Sequence, residues 1–470
     1  MIHRIAILSE VIPQWFDCCV NSCIAYTGKY KDDQQCPFRN CQEPRRSPGG
    51  VARRLFCYLP MIPRFKGFFQ SKRMINELLY RHQYVSVPGT IADVFDGEIY
   101  QELLSKYVVV GGETLSHKYF SGKHDIAFSI ALDGYLLYKR RRGGPSATPI
   151  IIQIFNLPPA VRTHVQQLMI LGVIPGPHGP KRPETFLAPV DDECAELAHG
   201  VSVFNCVDQN NFTLHAYNLF NQGDIVSIEK VLGIKGHNGL SPCRSCEITG
   251  VYNKVYYVPL CQPSNPGEEL ETWDPKDLPM RKHEDWQNVV DEINAAHLKK
   301  DKGWIAMKTG IKRMPALTRV RSLDYARSNP WDWTHLFLEN VIPNLVDLWM
   351  GRFKGLDSGN EDYEIDSETW KLIGDEGVEA VKNLPAPFTR VIPHIVKERG
   401  WFTAEAWCFW FIYLAPILLN GRFSDHKYYD HMCDLVVIMK ICLQFSITQD
   451  EVDDLEDKII TWVCTYEAYV

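Results

Sequence analysis

Three acids set the chemical question. Asp133 precedes a glycine at the end of one apolar run. Asp224 follows another apolar run, and Glu339 lies inside an amphipathic stretch rich in Trp, Leu and Phe. Carboxylates brought together offer hard oxygen ligands, which suit Mg²⁺ or Mn²⁺. Two such ions about 4 Å apart can activate a nucleophile and stabilise a leaving oxygen at phosphorus, so the chemistry in view is phosphoryl transfer. Each acid also has a structural alternative. Asp133-Gly134 is a turn pair, Asp224 is placed to cap a helix beginning at Ile225, and Glu339 is an acid on a helix surface. Asp208 is a rival to Asp224.

The cysteines pose a second question. Cys19 and Cys23 form one spaced pair and Cys36 and Cys41 another, with twelve residues between the pairs. Two pairs at that distance can build a tetrahedral thiolate site, the usual structural Zn²⁺ arrangement, and zinc would fold a segment too small to bury a core of its own. Cys18 is a spare candidate. Cys243-Arg244-Ser245-Cys246 is a further pair, with His237, Cys261 and His283 as possible partners. It could staple its segment to the core, whereas a redox role would need a thioredoxin-like unit. The run Lys139-Arg140-Arg141-Arg142 could neutralise DNA phosphates or be a solvated hairpin tip. Arg45-Arg46 and Arg53-Arg54 would give the cysteine module a DNA-facing side.

The elements that must position these groups read as follows. Residues 14–60 are Cys-, Pro- and Arg-rich and suggest a zinc-ribbon module; 61–122 read as a linker and helical segment. Ile126–Leu132 and Tyr135–Lys139 read as strands around an Asp-Gly turn, followed by a strand at Thr148–Phe155. Pro158-Pro159 opens a helix expected to run to about Leu171, and Gly172–Pro183 reads as a loop. A helix at Asp191–Ala198, strands at Val201–Val207 and Phe212–Phe220, and a helix at Ile225–Leu232 complete residues 123–236. Residues 237–320 look like an irregular insertion carrying Cys and His. Residues 321–352 hold an amphipathic helix, Pro330–Met350, on which Trp333, Leu336, Phe337, Val341, Leu345 and Leu348 recur at helical spacing. Residues 353–470 are mostly helical, with candidates at Glu368–Lys382, Ala404–Leu419 and His426–Phe445. This order predicts an α/β protein with an RNase H-like mixed sheet. In such a fold the first strand, the fourth strand and a late helix converge at one end of the sheet, where Asp133, Asp224 and Glu339 would meet.

Composition narrows the class. The 470 residues suffice for two to four domains. Fifteen cysteines in so long a chain, read with a start that lacks signal-peptide character, argue for thiols and metal ligands rather than a disulfide scaffold. The apolar run Trp407–Leu419 is too short to span a bilayer, so no membrane role is expected. Net charge is −7, but its distribution is uneven. Residues 1–81 hold 13 Lys/Arg against 6 Asp/Glu, and residues 353–470 hold 10 against 21. The front is therefore basic and the C-terminal part acidic.

An ordered set of short blocks resembles the CACTA (En/Spm-like) DNA transposases, especially the fungal group. The blocks are Asp17–Gly28 with Cys36-Pro37, Tyr58–Arg64, Ala131–Tyr135, Phe155–Pro159 with Leu171–Pro177, Phe212–Leu214, Gly223–Ile225, Lys235–Gly239 through Pro242–Cys246, and Asp332–His335 with Glu339–Val341 and Gly355–Asp357. They span roughly residues 15–435. The resemblance implies an RNase H-like core whose Asp-Asp-Glu triad falls on Asp133, Asp224 and Glu339. It implies Mg²⁺ or Mn²⁺ for catalysis and a structural Zn²⁺, although the second cysteine pair is tighter in the family than Cys36–Cys41. It implies DNA partners at transposon ends and target sites and action in the nucleus; a homo-oligomer is possible, and the sequence does not fix the oligomeric state. Such proteins are commonly longer, so a truncated or domesticated relic that binds DNA or protein without catalysis is the alternative.

Overall fold

The computed structural model describes residues 11–136, 146–253, 255–261, 272–353, 361–382, 384–385 and 392–469. The chain divides into two compact units. One comprises Met1–Ser86, Asp93–Val258 and Leu278–Pro330; the other comprises Val87–Ala92, Pro259–Asp277 and Trp331–Val470.

A seven-stranded mixed sheet organises the first unit. Its strands are β1 (Gln14–Asp17), β2 (Leu55–Tyr58), β3 (Ile126–Leu132), β4 (Tyr135–Leu136), β5 (Ser146–Ile154), β6 (Met169–Ile174) and β7 (Ala216–Gln222). They lie in the order β1-β2-β6-β5-β3-β7, with β4 pairing β5 off this path. Every pairing is antiparallel except that of β3 with β7, which is parallel. β3 reads as a nearly continuous apolar run because both its faces are covered, and β7, mostly buried as well, carries Asn218 and Asn221 among its apolar residues. Phe56, Phe65, Phe128, Phe186, Leu171 and Leu219 lie in the core around them.

Several expected elements hold to the residue or nearly so. β3 and the helix Ile225–Leu232 have the expected bounds, and β5 differs by one or two residues at each end. Two expectations fail instructively. The helix from Pro159 stops at Arg162, and Met169–Ile174 is a strand. Met169, Leu171 and Ile174 point inward while Ile170 and Val173 are exposed, and pairing with β5 satisfies their backbone. Tertiary pairing here overrides a local apolar spacing that also fits a helix. The expected single strand Phe212–Phe220 breaks at His215. Asn210–Leu214 forms a hairpin with Val201–Asn205, and Ala216 onward enters the main sheet. His215 is held at the break, its Nδ1 3.2 Å from the buried Asp125 carboxylate and its carbonyl accepting from the Ile126 amide at 2.9 Å.

Helix α1 (Pro183–His199) begins earlier than expected: Pro183 occupies its first turn, where proline is tolerated, and the helix continues through Pro189. Helix α2 (Ile225–Leu232) follows β7 directly. The segment expected as an insertion packs against α2. Trp286 is fully buried among Ile228, Leu232, Ile234 and Ile311, and its indole N–H donates to the Leu232 carbonyl at 2.8 Å.

The second unit is chiefly helical, built on a core that includes Leu338, Ile342, Trp349, Trp370, Trp410 and Phe411. The expected helix Pro330–Met350 consists of a wide π-helical stretch, Thr334–Val341, running into an α-helix, Ile342–Trp349. Pro343 has no N–H for the Glu339 carbonyl and its ring crowds that position, which opens the turn. The wider turn shifts the phase of the apolar stripe, so Leu336, expected inside, is exposed while Leu338 is buried. A second π-helical stretch, Trp410–Leu414, precedes Pro416 in the same way. Among the described residues no helix is long and apolar enough to cross a membrane.

His124 offers a test of the core. It is buried against Phe69 and Phe212, and burial pushes its imidazole down to about 4. Between about 4 and the ordinary value near 6.5, the unfolded chain binds the extra proton and the folded chain does not. Stability is therefore lost as pH falls through this window, by about 3 kcal/mol in all. Urea unfolding at pH 7 and at pH 4.5 should show a smaller difference for His124→Phe than for the wild type.

Candidate active site and metal centre

Asp133 and Asp224 meet because of strand register. In the parallel pair, Ala216 lies opposite Ile126, and the last pair matches Gln222 with Ala131. Two residues farther along, the strands reach Asp224 and Asp133. A bulge between Asn218 and Phe220 places one extra residue, Leu219, in β7. An unbulged ladder would align Asp224 with Gly134 instead.

Gly223 then permits the close approach. Its φ is +157°, and a Cβ there would lie 2.5 Å from the Leu132 carbonyl oxygen. The two acids present carboxylate oxygens within 4.8 Å of each other.

Asp224 serves in two ways. One oxygen accepts from the Ser227 amide at 2.6 Å, so the residue is the N-cap of α2. That bond fixes the orientation of the carboxylate at the start of the helix. Its other oxygen is not used by the cap. Asp133 is exposed beyond the end of β3. Two carboxylates this close repel one another, and a divalent cation between them relieves the repulsion. Their all-oxygen donor set suits Mg²⁺ or Mn²⁺. Asp208, the rival to Asp224, is elsewhere: it accepts from Asn205 at 3.0 Å and from Lys123 at 3.4 Å.

Glu339 belongs to the second unit. It is exposed on the π-helical stretch, with its carboxylate 3.7 Å from His335 Nε2, and the other ring nitrogen of His335 is 3.2 Å from Asp332. His335 was part of a quoted block but carried no expected role.

The four expected cysteines come together. Cys19, Cys23, Cys36 and Cys41 present sulfurs within 4.8 Å of one another, and the Cys19 and Cys41 sulfurs are 3.5 Å apart. Tetrahedral Zn–S bonds of about 2.3 Å require sulfurs about 3.8 Å apart, so the donor set fits zinc. Local turns aim the thiols. The Ser22 amide bonds to the Cys19 carbonyl at 2.8 Å in the first loop, and the Cys41 amide to the Phe38 carbonyl at 2.8 Å in the second. Cys18 is not part of the group. It is buried in the main core and forms a bridge with Ala25.

Asn21, unnoticed in the sequence, supports the cluster. Its backbone N–H reaches Cys19 Sγ at 3.4 Å, and its side-chain amide reaches Cys41 Sγ at 3.3 Å. Such donors stabilise thiolate charge around a metal. Its position between Cys19 and Cys23 was the available clue.

The second pair is held differently. The Ser245 and Cys246 amides both point at Cys243 Sγ at 3.3 Å, and the Cys246 thiol hydrogen bond lowers the Cys243 pKa. Arg281 clamps the turn by donating to the Cys243 carbonyl and to Ser241 Oγ at 3.1 and 2.7 Å. His237 is turned to the Glu229 carboxylate, 2.7 Å from its Nδ1, and His283 stacks on Tyr325. Among the described residues, no His, Cys, Asp or Glu joins Cys243 and Cys246 in a group of three.

The run Lys139, Arg140, Arg141, Arg142 lies outside the described residues. Of the other arginine pairs, Arg45 and Arg46 bond to Asp17 at 2.7 and 2.9 Å, and Arg53 bonds to Glu43 at 2.7 Å. Much of the charge expected to face DNA is therefore spent inside the module.

Two outcomes follow. Cys36→Ser should lower the zinc content of the purified chain by one atom, measured by inductively coupled plasma mass spectrometry, and Cys18→Ser should leave it unchanged. Equal zinc in both variants would exclude the four-cysteine site. Gly223→Ala should cost about 2 kcal/mol in denaturant unfolding, because the added methyl meets backbone and the φ disfavours a side chain. It should also weaken Mn²⁺ binding at the acid pair.

No curated protein matches the chain. Residues 113–258, which hold β3 to β7, both clustered aspartates and the Cys243–Cys246 pair, match the family described as Transposase family tnp2, and this central segment is therefore transposase-like.

Proposed function

We propose that the chain is a DNA transposase of the CACTA (En/Spm-like) kind, of the fungal type, with an RNase H-like core and a zinc ribbon ahead of it. The observation that carries the reading is the placement of Asp133 and Asp224 within 4.8 Å at the ends of adjacent parallel strands. The family match over residues 113–258 supports it. So does the strand order, in which three antiparallel strands, β6, β5 and β3, are followed by a parallel fourth, β7. Glu339 is the proposed third carboxylate, by its order along the chain.

The substrate is DNA at the transposon ends and at a target site, and the work is done in the nucleus. A water oxygen attacks the phosphorus at the transposon end in line with the departing 3′-oxygen. The P–O bond breaks and the 3′-oxygen leaves as a hydroxyl. That hydroxyl then attacks a target phosphodiester in a second in-line displacement, forming one P–O bond as another breaks. Neither step needs a protein nucleophile, so the chain contributes positioning and charge. Divalent ions, when bound, would supply Lewis acidity and neutralise charge at phosphorus. Asp133 and Asp224 would hold them, with Asp224 kept in orientation by its bond to the Ser227 amide.

The test is nicking of duplex DNA bearing the element ends by the full-length protein with Mn²⁺. Asp133→Asn and Asp224→Asn should each lower the rate at least about a hundred-fold while leaving the melting temperature near that of the wild type. Binding without nicking by the wild type would reject the enzyme and favour a non-catalytic descendant.

A further inference from the structure

Beside the acid pair is a cavity of about 220 Å³ whose walls include Leu132, Thr148, Gly179, Asp224, Ser227 and Lys230. Lys230 is the cation in this wall. It sits on α2, six residues beyond Asp224, and its side chain is half-buried. Among the described residues its ammonium makes no hydrogen bond or ion pair with another side chain. It lies against Gly179, where a Cβ would sit 2.8 Å from Nζ, so the bare glycine leaves the ammonium its room.

More positive charge gathers behind Lys230. The Arg313 guanidinium is fastened to its carbonyl at 2.5 Å. Arg182 and Arg313 share a single carboxylate, Glu184, each at 3.4 Å. Lys312 is exposed next to Arg313, and the Lys312 amide is fixed to the Gly233 carbonyl at 2.8 Å. At the far end, the Arg182 amide bonds to the Cys23 carbonyl at 3.1 Å, so the band reaches the cysteine module.

A cluster of cations with too few carboxylates is costly unless an anion completes it. We propose that Lys230, Lys312, Arg313 and Arg182 form a phosphate track that receives a DNA strand, with Lys230 gripping the backbone phosphate next to the one that reacts. This rests on the transposase reading, which supplies DNA as the polyanion. The cavity wall shared by Lys230 and Asp224 aligns the track with the acids. The sequence concealed the track, because its cations come from three separate places in the chain: Arg182, Lys230 and the pair Lys312-Arg313.

The experiment uses the full-length chain and a fluorescein-labelled DNA duplex, with anisotropy followed from 50 to 300 mM NaCl. Each phosphate contact contributes about 0.9 to the slope of log K against log salt. Lys230→Gln with Lys312→Gln should lower that slope by roughly two and weaken binding about ten-fold or more at the lowest salt. Lys230→Arg, which keeps the charge, should retain most of the affinity. Mn²⁺ binding to the Lys230→Gln protein, read by electron paramagnetic resonance, should match the wild type. Wild-type DNA affinity and slope in the double glutamine variant, with its melting temperature unchanged, would overturn the track alone. Altered Mn²⁺ affinity with unchanged DNA binding would reassign Lys230 to neutralising Asp224, and so overturn the track as well. A wild-type protein that fails to bind DNA would remove the transposase reading and the track together.

Discussion

The parallel ladder between β3 and β7 keeps two like charges at a separation they would not keep by themselves. Carboxylates 4.8 Å apart or closer repel, and the chain between Asp133 and Asp224 is long enough to let them part. The backbone does not let them. β3 is buried on both faces, β7 nearly so, and the glycine between β7 and α2 brings the two strand ends into contact. Strain of this kind is tolerated where the surrounding packing over-determines it. The cap at the start of α2 eases the burden by engaging one oxygen of Asp224, and solvent reaches Asp133. Backbone geometry thus holds the two carboxylates together before any side chain outside the pair contributes.

The cysteine module leans on the same sheet. β1 and β2 frame it and extend the sheet through the Tyr58–Gly172 pair. Asp17, at the end of β1, gathers Arg45 and Arg46 and closes the module onto its own base. Ser22, held at φ 59° in the first cysteine loop, places its single hydroxyl donor between the Pro175 and Gly176 carbonyls in the segment after β6. Glu193 on α1 accepts from the Tyr58 hydroxyl and from the Met61 and Ile62 amides. These bonds make the module a buttress of the sheet, and they explain how a segment with so small a core of its own is ordered.

Much of this was legible in the residues. Continuous apolar runs announced β3 and the interior of β5, and Asp224 ahead of Ile225 announced α2. The thiol spacing named all four members of the cysteine cluster. What escaped was set by partners distant in sequence. Met169–Ile174 is a strand because β5 offers it hydrogen bonds, and nothing inside the six residues says so. The break at His215 depends on Asp125, ninety positions earlier. The turn at Cys243–Cys246 is clamped by Arg281, which no motif connects to it. The exposure of Leu336 depends on Pro343, since one missing amide rotates the preceding turn. Glu339 was legible as an acid on a helix, while the wide turn that carries it was not.

The bulge at Leu219 gives the chain an arithmetic of its own. From Ile126 to Asp133 there are eight positions, and from Ala216 to Asp224 there are nine. The surplus residue is what puts one aspartate level with the other. An apolar replacement at 219 changes how well the interior fills. Loss of the position would slide the end of the strand by a full step and turn its side chains to the opposite face. In this stretch the number of residues constrains the site more tightly than their identity does.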